Sequence, residues 1–131
     1  WFSHQAYGSV LDTTLLLNWC DSEFLGIALC AIVSFNDYRN QNSLQAECTC
    51  EFDSLDASCS RFNVPVGGWI TTGKEPRTIE SDHVFIGYIS LSNITKRQEE
   101  EFKRGCVPTR VSLRFLVKDG TGEEIAQCEV V

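Results

Sequence analysis

The sequence predicts an all-β fold: an antiparallel β-sandwich of jelly-roll or immunoglobulin-like type with one short surface helix. Short runs of β-branched and aromatic residues recur between turn signals, two of these runs alternate apolar and polar residues, and one segment carries helix caps. With 131 residues the chain is long enough to bury a core of its own. Residues 1–131 are therefore expected to form a single domain.

The most apolar segment runs from Leu25 to Phe35 and ends at the turn signal Asn36-Asp37. It is too short to span a bilayer, which takes about twenty residues. Gly26 near its start and three β-branched residues favour a strand over a helix, which is the alternative for such a run. Because the run has no polar alternation, we expect both faces of this strand to be buried in mid-sheet and none of its residues to bind a partner.

The other strands are predicted in order along the chain: Thr13–Trp19, Leu44–Phe52, a short edge strand Phe62–Val66 ended by Pro65, His83–Leu91, Thr109–Lys118 and Glu124–Val131. The second of these alternates cleanly, so Cys48 and Cys50 share its inward side. The last two should form a hairpin across the turn Asp119–Gly122. The segments Asn36–Ser43 and Gly67–Arg77 are predicted to be loops.

One helix is predicted, from the capping-box spacing of Thr95 and Gln98 to a last turn at Arg104 that Gly105 terminates. Acidic residues in its first turns and basic residues in its last turn match the helix dipole. We expect this charged helix to lie on the surface of the sandwich.

Seven cysteines are distributed along the chain: Cys20, Cys30, Cys48, Cys50, Cys59, Cys106 and Cys128. The odd count and the apolar surroundings of Cys30 indicate buried free thiols in a reducing compartment rather than a disulfide framework. Cys48-Thr49-Cys50 lacks the spacing of a zinc site. The glycosylation sequon Asn93-Ile94-Thr95 argues against a reducing compartment, although a helix start explains the same residues.

The overall charge restricts the possible partners. A net charge of −7 and a pI near 4.7 argue against nucleic acid and against an anionic membrane surface, and favour a basic or neutral protein partner. The chain contains no Met, starts at Trp1 and stops at Val131 directly after a strand-like stretch. These features predict a domain excised from a longer polypeptide.

No arrangement typical of catalysis is visible, so no catalytic, cofactor-binding or metal-ligating residue is predicted. Ser81-Asp82-His83 contains the residue types of a hydrolytic triad, but neighbours on an extended chain point to opposite faces. The carboxylates Glu47, Glu51 and Asp53 line one wet strand face and are expected to stay solvated. The domain is therefore not expected to be an enzyme.

Surface loops remain as the place for function, because loops on a rigid β-scaffold commonly carry binding residues. Large aromatic and cationic side chains are the types that anchor protein interfaces. Packing of Trp69 on the rim of the sandwich is the structural alternative. The predicted partner-binding residues are Tyr38, Arg39, Asn40, Trp69, Lys74 and Arg77.

Three motifs resemble one family. The run GIALCAIVSF, residues 26–35, resembles the "GFALCAVVSF" strand in the C-terminal jelly-roll/Ig-like domain of plant TIR–nucleotide-binding–leucine-rich-repeat immune receptors. WFSHQAYGS at residues 1–9 is similar to the opening of that domain, and SDHVFIGY at residues 81–88 to its "SDHVFLGY" strand. The three matches occur in the same order as in the family.

The resemblance implies a β-sandwich that follows the leucine-rich repeats and helps them recognise a pathogen effector protein. In such receptors, recognition is coupled to assembly of a homo-tetramer and to NAD hydrolysis by a TIR domain that this chain lacks. The implied partners are the effector and the adjacent repeats, and the implied location is the cytoplasm or nucleus. A structural cap on the repeat array, without ligand contact, is the alternative role.

Overall fold

A computed structural model describes residues 5–15, 25–40, 43–54, 58–70, 77–90, 92–94, 108–126 and 128–130. Within these ranges nine strands are present: β1 Val10–Thr14, β2 Gly26–Phe35, β3 Tyr38–Asn40, β4 Ser43–Asp53, β5 Ser58–Ile70, β6 Arg77–Ile79, β7 His83–Ser90, β8 Arg110–Asp119 and β9 Cys128–Val130. They form a four-stranded sheet in the order β1-β8-β4-β5, a three-stranded sheet in the order β7-β2-β9, and a two-stranded ribbon of β3 and β6. Every pairing among them is antiparallel, which confirms the all-β prediction.

The four-stranded sheet follows the alternation read from the sequence. On β4 the inward side chains are all buried: Leu44, Ala46, Cys48, Cys50 and Phe52. Their β8 partners include Val111, Leu113 and Val117, which are also buried. These strands carry one apolar face into the core, as predicted.

The opposite, outward face of this sheet is polar and charged. Glu47, Glu51, Arg114 and Lys118 point outward from β4 and β8. Glu47 is not simply solvated, because Lys118 Nζ lies 2.9 Å from its Oε1. Opposite charges on neighbouring strands therefore compensate each other on this face.

The three-stranded sheet corrects the prediction for the apolar run. In β2 the side chains of Leu29, Ala31 and Val33 are buried, whereas the intervening Cys30 and Ile32 are exposed. The strand lies mid-sheet, but only one of its faces packs in the core. The expectation that Cys30 is a buried thiol is wrong for the same reason.

The core lies between the two larger sheets. Phe52 and Phe62 stack with ring centroids 5.8 Å apart, and Leu29, Val33, Phe85 and others close the layer from the opposite sheet. The sheets come close to each other where β5 crosses β7: a Cβ placed at Gly87 would lie 3.0 Å from Val66 Cα. Glycine at this crossing allows the backbones to pack at that distance.

β5 is longer than predicted. It runs through Gly67 and Gly68 to Ile70 instead of ending at Pro65, so the residues expected to open an irregular region belong to a strand. A register shift beside Ala46 leaves Val66 as the extra residue of a β-bulge. Proline is tolerated because β5 is an edge strand among the described strands, as predicted.

The last strand has a different partner from the one predicted. β9 pairs with Val33–Phe35 of β2, in the other sheet, instead of forming a hairpin with β8. Among the described residues, a short contact joins the two predicted hairpin arms: the bridge Lys118–Glu124, with hydrogen bonds from Ile125 N to Val117 O and from Asp119 N to Glu123 O. After the turn the chain therefore crosses from one layer of the sandwich to the other.

Two predicted elements lie partly or wholly outside the described residues. The predicted helix from Thr95 to Arg104 is one of them; a helical turn at 92–94 precedes it and buries Ile94. The predicted first strand Thr13–Trp19 overlaps β1 at Thr13 and Thr14, because β1 runs from Val10 to Thr14. Residues 16–19 of the predicted strand lie outside the described residues. Among the described residues no helix has the length and hydropathy needed to cross a membrane.

Candidate binding surface

One end of the sandwich gathers most of the predicted binding residues. β2, β5 and β8 end there, and β4, β7 and β9 begin there. The β3–β6 ribbon lies beside this end, and we call the ribbon with the side chains next to it (Phe35, Trp69, His83) and the turn 119–122 the ribbon end. The structure describes five of the six predicted binding residues, and all five lie at this end.

The ribbon joins the two segments that were predicted to be separate loops. Tyr38 pairs with Ile79, Arg39 with Thr78, and Asn40 with Arg77. Asn36–Ser43 and Gly67–Arg77 are thus not simple loops, because each contributes a strand to this ladder or to its neighbours. This pairing is not visible in the sequence because three-residue strands are too short to show periodicity.

Beneath the ribbon lies a chain of aromatic contacts. The ring of His83 lies 5.4 Å from that of Phe35, edge to face, and 5.6 Å from that of Trp69. Tyr38 approaches Phe35 at 6.1 Å, and Trp69 stacks near Phe85 at 6.3 Å. Pairs at these separations stabilise each other beyond their buried area, so the cluster holds the ribbon end rigid.

The cluster bears on the two interpretations of Trp69, contact with a partner and packing on the rim of the sandwich. The side chain is half-buried and packs on the rim of the sandwich, as the structural alternative proposed. Tyr38 is half-buried in the same way. Each ring still has an accessible part, so packing and partner contact are compatible here.

Arg39 is the exposed member of the predicted set that the structure describes fully. Asn40 and Arg77 have a described backbone in the ladder, and Lys74 lies outside the described residues. Sequence reasoning missed Ile70, which is exposed at the end of β5, and His83, which belongs to the cluster. The parity of β7 places His83 on the inward side with Phe85 and was the available signal.

His83 does not form a catalytic triad with its neighbours. Its Nδ1 lies 2.8 Å from the carbonyl oxygen of Ser81, and its ring faces the aromatic cluster. Ser81 and Asp82 are exposed at the entry to β7. The ring nitrogen of His83 therefore contacts the backbone of Ser81.

The turn after β8 is built around one carboxylate. Asp119 Oδ1 accepts hydrogen bonds from the Thr121 hydroxyl at 2.6 Å, from the Thr121 amide at 2.8 Å and from the Glu123 amide at 3.2 Å. These bonds, led by that of the Thr121 hydroxyl, lower the pKa of Asp119 below its usual value. Burial and the nearby charge of Asp119 in turn raise the pKa of Tyr38, so the turn and the ribbon are electrostatically linked.

Replacing the carboxylate of Asp119 should remove a contribution to fold stability that is present at neutral pH and lost in acid. A carboxyl group with a depressed pKa stabilises the fold above its unfolded-state pKa, and that contribution disappears as pH falls through the folded value. Asp119→Asn should therefore lower the melting temperature at neutral pH, and its difference from the unsubstituted domain should shrink below pH 3.8. Thermal denaturation across acid pH tests this, with Thr121→Val expected to give the same trend. A difference that keeps its size in acid would contradict it.

The paired cysteines of β4 do not form a reactive centre. Cys48 Sγ and Cys50 Sγ lie 3.9 Å apart on one strand face, and both are fully buried. The hydrogen bond with Cys50, followed by burial, raises the pKa of the Cys48 thiol, which disfavours the nucleophilic thiolate. Cys30, Cys48, Cys50 and Cys128 are free thiols, and no group of His, Cys, Asp and Glu among the described residues is arranged to hold a metal ion.

Comparison with known proteins identifies the family. A family model described as the C-JID domain matches residues 1–130. The chain is 37% identical over 139 residues to disease resistance protein RPP2B of Arabidopsis thaliana, covering 100% of this chain and 12% of that protein. It is 44% identical over 124 residues to disease resistance protein RPS4 of the same plant, covering 94% and 10%. Disease resistance-like protein CSA1, also from Arabidopsis, is 38% identical over 124 residues, covering 95% and 10%.

The chain spans about a tenth of the length of the curated relatives that it matches. No solved structure matches it. The fold and the comparisons together define a non-catalytic C-terminal β-sandwich domain of plant disease resistance receptors in the TIR–nucleotide-binding–leucine-rich-repeat class. The chain belongs to the C-JID family, which confirms the resemblance drawn from its three motifs.

Proposed function

We propose that this domain acts with the leucine-rich repeats to bind a pathogen effector protein, and that the ribbon end makes the contact. The observation that carries the proposal is the convergence of the predicted binding segments into one ribbon over a rigid aromatic cluster. Binding surfaces are most effective when their side chains are held in place by packing before the partner arrives.

The composition of the ribbon end suits a protein partner. Arg39 is exposed on the ribbon, and the half-buried rings of Tyr38 and Trp69 lie in the cluster next to it. Aromatic residues and arginine carry a large share of the energy in protein interfaces. Ile70 adds an exposed apolar side chain at the same end. The net charge of −7 favours an effector surface that is neutral or basic.

Exchange of the ribbon between two receptors tests this proposal. Residues 38–40 and 77–79 would be moved into an intact relative whose effector is established, as one paired unit because they form one ladder. The chimera should lose affinity for its own effector by about tenfold or more, since interface centres contribute more than 1 kcal/mol per anchor. Binding would be measured by surface plasmon resonance with the purified effector.

Matched controls separate contact from folding. Exchange of residues 54–57, which connect β4 and β5 at the opposite end, should leave the affinity unchanged. Within this chain, Arg39→Glu on the ribbon is matched by Arg61→Glu, which is also an exposed position and lies on the outward face of the four-stranded sheet. A ribbon chimera that keeps its original effector affinity would refute the proposed site.

Effector binding would act through the rest of the receptor. In this proposal it promotes assembly of the receptor into a homo-tetramer inside the cell, and the TIR domain then hydrolyses NAD. The domain itself supplies recognition and needs no cofactor. What supports this sequence of events is membership of the receptor class.

A second candidate function is favoured by a separate observation. On the outward face of the three-stranded sheet, the β2–β7 part is apolar, with Val84, Ile86 and Tyr88 all exposed, and the charged Glu129 lies beside it on β9. A domain that caps a repeat array needs an apolar surface of this kind, because terminal repeats leave an open hydrophobic edge. Recognition and capping use different surfaces of the sandwich and are compatible.

A further inference from the structure

The two outward faces of the sandwich differ in chemistry. The outward face of the four-stranded sheet alternates in the ordinary way and carries charged residues such as Glu47 and Lys118. The three-stranded sheet carries three consecutive cross-strand pairs of uncharged, mainly apolar residues on its outward side. The pairs are Ala28 with Tyr88, Cys30 with Ile86, and Ile32 with Val84, and together we call them the apolar face.

All six side chains of the apolar face are exposed in the domain. Ile86 is 73% exposed, Tyr88 and Val84 are each 59% exposed, and Ile32 is 43% exposed. An antiparallel sheet that meets water on one face normally carries polar residues there. Contiguous exposed apolar residues mark interaction sites. We propose that the apolar face is covered in the intact receptor by the last leucine-rich repeats of the same polypeptide.

The size of the face favours an occupant within the same chain. A stable interface between separate proteins buries about 800 Å² on each partner, from roughly 20–30 residues a side. The apolar face offers six side chains. Two parts of one polypeptide need less, because the linkage raises their effective concentration to the millimolar range.

Two further observations point away from a second copy and toward the repeats. A second copy would bring another net charge of −7 against the first. The chain accounts for about a tenth of its relatives, so a long polypeptide is available to cover the face. The end of a leucine-rich repeat array is itself apolar and requires a cap, which makes it chemically complementary.

The inference rests on the capping function proposed above and gives it a surface. It does not depend on effector recognition, because the apolar face is covered whether or not an effector is bound. Its experiment is therefore carried out on the intact receptor in the absence of any effector. If exchange of the ribbon did not change effector affinity, the result expected from this experiment would stay the same.

Photocrosslinking tests the proposal directly. p-Benzoylphenylalanine would replace Ile86 in the intact receptor, and after irradiation the crosslinked peptides would be mapped by mass spectrometry. The expected products join position 86 to the last repeats of the same chain, with a yield that is independent of receptor concentration. The control places the same probe at the exposed Arg114, on the outward face of the other sheet, where we expect no such product.

Alkylation of Cys30 gives a second measurement, which uses a native thiol of the apolar face as the probe. Cys30 is exposed in the middle of the apolar face, so coverage should slow its reaction with iodoacetamide about tenfold relative to an engineered Arg114→Cys receptor. Ile86→Glu should restore the rate, whereas Gln45→Glu on the opposite outward face should not. Cys48 and Cys50 are fully buried, and their continued protection shows that a variant is folded.

Each alternative occupant gives a different result. Crosslinks between chains, or a yield that rises with concentration, would mean that a second copy covers the face and would overturn the proposal. Crosslinks to residues 16–24 or 95–107 of the domain itself would overturn it as well. Rapid alkylation of Cys30 in the intact receptor, at the rate of Arg114→Cys, would show a free face and have the same consequence.

Discussion

Gly68→Ala is expected to lower the free energy of unfolding of the domain by about 4 kcal/mol. Gly68 has a φ of 146°, which side chains other than glycine rarely adopt. A Cβ at this position would lie 2.2 Å from the carbonyl oxygen of Leu44 on the neighbouring strand. Because the obstacle is backbone within the sheet, β4 and β5 would have to separate to admit the methyl group.

The same substitution should also weaken effector binding. Gly68 directly precedes Trp69, whose ring contacts His83 in the cluster beneath the ribbon. Separation of the strands would shift this ring and loosen the support of the ribbon end. Urea denaturation would measure the stability, and binding of the established effector by a relative with the equivalent change would measure the affinity.

Gly122→Ala is the matched control. Gly122 also has a positive φ, 87°, but a Cβ there would meet no atom within 4 Å. Only the backbone strain remains, so the expected loss is about 1 kcal/mol. Equal losses at the two positions would show that contact with Leu44 is not the cause.

Phe52→Ala is expected to lower the free energy of unfolding by a similar amount, about 4 kcal/mol. Phe52 is fully buried and stacks on Phe62 with ring centroids 5.8 Å apart. Removing the ring leaves a cavity between the two sheets that the surrounding β-strands cannot fill. Calorimetry or chemical denaturation would measure the change, with Phe52→Leu as a control expected to cost about 1 kcal/mol.

The two substitutions should differ in their effect on binding. Phe52 lies near the end of β4 that is far from the ribbon, whereas Gly68 lies beside Trp69. The folded fraction of Phe52→Ala should therefore keep an unchanged Kd for the effector. A Phe52→Ala receptor that is well folded at the assay temperature and still fails to bind would contradict the placement of the site.

The sequence predicted the parts of the fold that depend on local alternation. β4 and β8 have the inward and outward sides read from their period-two patterns, and β7 has the predicted division of Val84, Ile86 and Tyr88 from Phe85 and Ile89. Each of these strands meets the core on one side, so burial imposes a pattern that is visible in one dimension.

The prediction that both faces of the apolar run Leu25–Phe35 are buried was wrong for a physical reason. Its outward residues Ala28, Cys30 and Ile32 are apolar, so the segment reads as buried on both sides. Within this domain only one side is buried. If the apolar face is covered by the repeats, the sequence reports the environment of the whole receptor, which the domain alone does not contain.

Non-local pairings were the other source of error. The β3–β6 ribbon and the β2–β9 pair each include a three-residue strand whose partner is far away in sequence. Strands of three residues have too few positions to show alternation, and their partners are fixed by the layering of the sandwich. The residue types at the candidate site could be predicted, whereas their gathering into one surface could not.

The central claim is that the ribbon end meets the effector while the apolar face meets the rest of the receptor. Three tyrosines report on it: Tyr38 on the ribbon, Tyr88 on the apolar face, and Tyr7, which is 88% exposed near the start of the chain. Hydroxyl-radical footprinting of the intact receptor, with and without effector, would measure all three in one experiment.

We expect Tyr88 to be protected relative to Tyr7 in both states and Tyr38 to become protected only when the effector is bound. Tyr7 serves as the internal reference because it is the most exposed of the three. Oxidation of Tyr38 that is unaffected by the effector would contradict the role of the ribbon end, and a Tyr88 that reacts as fast as Tyr7 in the free receptor would contradict the covering of the apolar face.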